Sequence, residues 1–192
     1  MAYQQVLSTL SGMLVISAVV LYIVAILRGF TKPSKASWTV WAILCWITAA
    51  GMYQADALNI QIAVVAVCDS IIVLLAFKYG NPGWSAVDKW SIAGAAVGIA
   101  LWVGTGNPLF AVVIALTVNF VGSIPTYVKT WHYPEQESAT AWILIGLSSL
   151  TQSLAIPAWT VADAAQPISF VAIQAVQLIL IFVRPKRFFA TA

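Results

Sequence analysis

The chain has 192 residues, of which 61% are hydrophobic and only 8% charged, with a mean hydropathy of +0.93 and a net charge of +3. A length of this size suits one water-soluble domain, but a soluble surface carries roughly 25% charged residues. The composition therefore excludes an ordinary soluble enzyme or nucleic-acid-binding module and points to an all-α protein that crosses a lipid bilayer several times.

A hydrocarbon core about 30 Å thick takes roughly 20 apolar helical residues per crossing. The first such segment, about Val6–Leu27, follows Met-Ala-Tyr-Gln-Gln, which has no basic region, so it reads as a retained span and not a cleaved signal. Lys32-Pro33-Ser34 breaks the chain before a second segment, Trp38–Tyr53, and a third follows at Ala57–Phe77. Gly80-Asn81-Pro82-Gly83 and Gly104-Thr105-Gly106-Asn107-Pro108 flank a fourth at Trp90–Gly104. Three more are expected at Pro108–Val128, Ala139–Pro157 and Ala165–Val183. Cys45 and Cys68 fall inside segments and read as small packing residues, not as a disulfide or metal site. No phosphate-binding loop, zinc-ligand cluster or nucleophile elbow occurs, so no catalytic residue, metal or cofactor is expected and the chain does not read as an enzyme.

Charge orients the seven spans. The nine basic residues, Arg28, Lys32, Lys35, Lys78, Lys89, Lys129, Arg184, Lys186 and Arg187, all fall after spans one, three and five or in the tail. The other side carries only Asp56 and Asp163. The positive-inside bias puts the N-terminus outside and the C-terminus in the cytoplasm, as in a bacterial inner (plasma) membrane protein. The basic residues then serve anionic lipid, not nucleic acid. Trp38, Trp41, Trp84, Trp90, Trp102, Trp131, Trp142 and Trp159 lie near span ends and read as interface anchors, whereas Trp46 sits about halfway along the second span.

The chain also repeats. Tyr22–Trp41 slides onto Ser123–Trp142 without a gap, an offset of 101 residues, so that Pro33 meets Pro134, Arg28 meets Lys129, Ser37 meets Ser138 and Trp41 meets Trp142. Spans three and seven align at an offset of 105, which pairs Gln61 with Gln166, Asp69 with Gln174 and Phe77 with Phe182. The expected plan is a three-helix repeat over residues 1–80, a linker helix within 81–105, and a second repeat with a cytoplasmic tail over 106–192. A single-helix linker makes the repeats parallel, about an axis along the membrane normal.

Asp69 is the only charged residue well inside a span, where a carboxylate costs about 2.5–3.5 kcal/mol and should face the bundle interior or water. It lies nine residues before Lys78, Asn119 ten before Lys129, and Gln174 ten before Arg184. At 1.5 Å per residue all three are about 14 Å from the basic boundary, at one level on three helices. Gln177 shares a helix face with Gln174. Trp46 is a candidate cavity wall and Pro125 a candidate hinge.

Ile124-Pro125-Thr126-Tyr127-Val128-Lys129, followed by Glu137-Ser138 and an apolar helix, resembles the PQ-loop superfamily, which includes the SWEET and SemiSWEET sugar facilitators, cystinosin-like exporters and the KDEL receptors. Thr126 stands in place of the motif's glutamine, and Val24-Ala25 occupy its Pro-Gln positions in the first repeat. The resemblance implies a three-one-three helix plan and a substrate site lined from helices three and seven, at Asp69 and Gln174 here. An intramembrane acid at that place is similar to the proton-coupled members; the nicotinamide riboside transporters share the plan and its aromatic richness. Together these readings lead to an expected transporter of a small polar solute. Its site would comprise Asp69, Asn119, Gln174, Gln177 and Trp46, with Asp69 as proton acceptor or as counter-ion to a cationic substrate. A ligand-binding receptor of the KDEL-receptor type and a non-transporting assembly subunit are the alternatives, and a homo-oligomer stays open.

Overall fold

The computed structural model describes residues 2–54, 56–105 and 108–183. Arg184, Lys186 and Arg187, with the rest of the expected tail, lie outside the described residues, as do Gly106 and Asn107 of the fourth break. Seven α-helices run α1 Ala2–Leu27, α2 Lys35–Gln54, α3 Ile60–Tyr79, α4 Ala86–Thr105, α5 Pro108–His132, α6 Ala139–Leu154 and α7 Val161–Val183, with a 3₁₀ turn at Pro134–Gln136. No strand occurs among the described residues.

Besides α1, which begins at Ala2, two helices start four residues earlier than hydropathy predicts, and these two for one reason. Ser85 and Asp88 form a reciprocal capping box at the start of α4: the Asp88 N–H donates to Ser85 Oγ (3.1 Å) and the Ser85 N–H to Asp88 Oδ2 (2.8 Å). Thr160 and Asp163 repeat half of it before α7, where the Asp163 N–H donates to Thr160 Oγ1 at 3.2 Å. Each cap satisfies helix-end donors that apolar counting ignores.

The exterior of the bundle is apolar, unlike that of a soluble one. Along α1 the exposed stripe is Val6, Leu10, Met13, Ile16, Val20, Val24 and Leu27, whereas Ser11 and Tyr22 are buried. Polar side chains elsewhere are buried too, among them Gln61, Asp69, Gln152, Gln166, Gln174 and Gln177. An apolar exterior around an interior that mixes apolar and polar side chains suits hydrocarbon as solvent. Among the described residues, α1, Lys35–Tyr53, α3 and Asp163–Val183 are long and apolar enough to cross a membrane; α6, with 16 residues, is a shorter apolar helix.

Helix neighbours follow a simple scheme. α3 packs on both α1 and α2, and α7 on both α5 and α6. Across the middle, α1 packs on α6 and α2 on α5, while α4 lies against α5 and α2. The α2–α5 crossing passes through Gly122, where an added Cβ would come within 2.5 Å of Val40 Cγ1.

Pro125 breaks the hydrogen-bond ladder of α5, because its nitrogen cannot donate to the Val121 carbonyl. Two neighbours complete the broken turn. Ser91 of α4 donates to the Val121 carbonyl at 2.6 Å, and Ser37 Oγ of α2 accepts the Thr126 N–H at 3.1 Å. Inside an apolar bundle, such side-chain replacements are what make an interior proline tolerable.

Gly122→Ala should therefore lower the melting temperature in detergent, by an amount corresponding to about 1–3 kcal/mol of overpacking. Gly51→Ala in α2, where an added Cβ meets nothing within 4 Å, should be neutral or stabilising by up to about 1 kcal/mol. Equal effects in the two variants would refute the close crossing.

Candidate functional site

A cavity of about 50 Å³ lies between the helices, and Asp69 of α3, Asn119 of α5 and Gln174 of α7 all line it. The level shared by these residues in sequence is thus a shared space in the fold. The volume accommodates a few water molecules or a small polar group. Asp69 is 7% exposed, and its described polar partner is a thiol: Cys45 Sγ of α2 stands 3.5 Å from Asp69 Oδ2. Gln174 is 8% exposed and its Oε1 has no hydrogen-bond partner.

The aromatic wall differs from expectation. Trp46 is not among the lining residues; it is 53% exposed on the outer surface and donates through Nε1 to Ser70 Oγ at 3.0 Å, pinning α2 to α3. Its position on the outward face of α2 explains this, since Trp38, Trp41 and Cys45 take the inward face. Gln177 is also absent from the lining: it is buried against α5, where Nε2 donates to Thr130 Oγ1 at 2.8 Å. The wall consists instead of Trp38, Trp41, Trp142 and Phe170. Trp38, Trp41 and Trp142 are buried, not interface anchors; they pack on one another, and Trp38 and Trp142 also on Tyr22, in tilted or edge-on pairs at ring-centroid distances of 5.2–6.4 Å. Trp84, Trp90, Trp131 and Trp159 are exposed, as anchors should be, while the side chain of Trp102 lies outside the described residues. Spacing carried the missed signal: Trp38, Trp41, Cys45 and Trp142, Ile145, Ser149 each follow one helix face at i, i+3, i+7.

Beyond the tryptophans, the described turns bearing basic residues gather at one end of the bundle. The Lys32 N–H donates to the Gln136 carbonyl at 3.3 Å, and Lys35 Nζ to the Gly83 carbonyl at 3.4 Å. Lys129, expected to mark a charged surface, is buried there. Its ammonium forms an ion pair with Glu137 and also donates to the Lys32 carbonyl. Glu137 Oε2 accepts from Tyr22 Oη at 3.0 Å and from Trp142 Nε1 at 2.9 Å. Lys129 can be buried at its place on α5 because the ammonium meets the Glu137 carboxylate and the Lys32 carbonyl together.

Toward the opposite end a neutral lacing replaces the ion pair. Gln166 Nε2 donates to Gln61 Oε1 at 3.1 Å, and Gln61 Nε2 to Ser148 Oγ at 2.8 Å. Ser148 and Ser11 exchange hydroxyl-to-carbonyl bonds at 2.9 Å, and Asn59 Nδ2 donates to Gln166 Oε1 at 3.0 Å. Gln61 lines the cavity as well, so the lacing forms part of its boundary.

Glu137→Gln should strand the buried Lys129 ammonium and cost about 3–5 kcal/mol, read as a lower melting temperature in detergent. Adding Lys129→Met in the same chain should restore most of that loss, since both charges are then gone. A double variant no better than the single one would refute the pairing.

Compared with known proteins, the chain matches no family profile, no curated protein and no solved structure.

Proposed function

We propose that this chain is a membrane transporter that moves a small polar solute by alternating access, with Asp69 as its coupling group. In this reading all seven helices cross the membrane, with the N-terminus outside and the basic end in the cytoplasm of a bacterial inner membrane. They form two parallel three-helix repeats, α1–α3 and α5–α7, joined by α4, as the resemblance to the PQ-loop and SWEET-like transporters implies.

The contacts support that plan in three ways. Exchanging α1, α2, α3 for α5, α6, α7 converts the α1–α6 interface into the α2–α5 interface and α3's neighbours into α7's. Repeat-related residues also meet each other: Gln61 bonds Gln166, and the Trp41 and Trp142 rings lie 6.1 Å apart. The cross-repeat contacts correspond as well, since Trp142 packs on Tyr22 while Trp41 Nε1 donates to Ser123 Oγ at 3.2 Å. Tyr22 and Ser123 are equivalent at the offset that equates the two tryptophans.

The observation that carries the functional reading is the cavity itself. A carboxylate and three amides from three helices line it, between two dissimilar closures. A packing subunit has no need of a buried carboxylate facing open volume, because each such group costs free energy.

The test is reconstitution. In proteoliposomes the wild-type chain should take up a solute with a pH-dependent rate, and Asp69→Asn should lose that pH dependence while eluting and melting as a folded protein. Unchanged uptake and pH profile in Asp69→Asn would exclude the coupling role, and ligand binding without flux would favour a receptor. Pro125→Ala, which returns a donor to the Val121 carbonyl, should raise the melting temperature and slow uptake several-fold if the broken turn of α5 has to flex. Faster or unchanged uptake would remove Pro125 as a hinge.

A further inference from the structure

Two acidic residues buried as a whole, Asp69 and Glu137, stand in unlike surroundings. Glu137 has its countercharge built in, the Lys129 ammonium. Asp69 has none. The titratable groups beside it are the Cys45 thiol of α2 and its chain neighbour Cys68, neither of which supplies positive charge. From the other elements around the cavity come Val15 and Val19 of α1, the Asn119 amide of α5, Ser149 of α6 and the Gln174 amide of α7. No Lys, Arg or His is among the described residues lining the cavity, and the sequence from 108 to 116 contains no ionisable residue. A buried carboxylate in such a place is neutralised either by a proton or by a cation from outside the protein.

Other features of the cavity favour an organic cation bearing N–H groups. Gln174 Oε1 is a buried acceptor without a donor among the described residues, and Gln174 lines the same space as the carboxylate. Trp38, Trp41 and Trp142 supply electron-rich ring surfaces, which attract cations when water is excluded. A hard metal ion requires a full oxygen shell, whereas an ammonium group is satisfied by one carboxylate, one carbonyl and aromatic faces.

We infer that the cavity binds a small organic ammonium at Asp69 in competition with a proton, so that the protein exchanges one for the other. The inference rests on the transport reading above and specifies its substrate class. Binding ejects the Asp69 proton to solvent, and release of the cation lets the carboxylate take a proton back. One positive charge occupies the site at a time, which is the condition for exchange.

The experiment uses the purified full-length chain in weakly buffered detergent. Methylammonium, ethanolamine and benzylammonium are added, each beside the neutral alcohol that has a hydroxyl in place of the ammonium, and choline beside 3,3-dimethylbutan-1-ol, while released protons and thermal stabilisation are recorded. At least one N–H-bearing cation should stabilise the protein and release a proton, its neutral partner should do neither, and apparent Kd should rise about tenfold per pH unit as acid protonates Asp69. Asp69→Asn should abolish the release, and Asp69→Glu should retain it. The wild-type measurement decides the matter even if both variants misfold. Cation binding without proton release, equal binding of neutral isosteres, or no response to any cation overturns the inference. Solute flux of a neutral compound in proteoliposomes would then leave the transport reading standing, while absence of all flux would remove that reading separately.

Discussion

A carboxylate inside an apolar bundle must be neutralised, and much of this structure follows from how that constraint is met. At Glu137 the solution is internal. Lys129 on α5 supplies the charge, Tyr22 from α1 and Trp142 from α6 supply donors, and Lys129 reaches across to the Lys32 carbonyl. One side chain thereby joins the α5–α6 turn to the α1–α2 turn. Trp38 and Trp142, packed on Tyr22, exclude water from the group, which strengthens its electrostatics and raises the cost of losing any member.

The same principle of local satisfaction explains the backbone. Pro125 removes a donor from the middle of α5, and hydroxyls on α4 and α2 replace the lost partners. Ser91 and Ser37 hold the interrupted helix against two different neighbours, so the α2–α4–α5 contact depends on a defect. Gly122 lies three residues before the proline and lets α2 come close enough for Ser37 to reach Thr126. A tight crossing and a broken turn are therefore one feature.

Hydropathy made seven helices legible, since each apolar run is bounded by Gly, Pro or charge. It missed the early starts of α4 and α7 because capping boxes are polar and lie outside the runs. The common level of Asp69, Asn119 and Gln174 was also legible, because helical rise turns sequence distance into depth and the basic boundary provides a zero point. The direction a side chain faces was harder to obtain. In a soluble helix the apolar stripe identifies the core, but here both faces are apolar, and Trp46 and Trp41 look equivalent until neighbours are known. Lys129 and Glu137 read as ordinary turn charges for a related reason: eight residues separate them, and only the fold brings them into contact.

The two ends of the cavity are closed by interactions of unequal strength. Toward the N-terminus of α3 the closure is a row of neutral hydrogen bonds among Gln61, Gln166, Ser148 and Ser11, each contributing about 0.5–1.5 kcal/mol net. Their donors and acceptors can turn to water as the helices part, so separation there exposes nothing unsatisfied. At the basic end, separation would pull Tyr22 away from Glu137 and Lys129 away from the Lys32 carbonyl, leaving charged groups partly unpaired in an aromatic pocket. On the transport reading the amide-laced end therefore opens more readily, and the basic end yields only when the Glu137 cluster is disturbed. On that reading the parallel repeat puts Ala36 and Glu137 at the same, basic end, so the carboxylate that tightens this end comes from the second half alone.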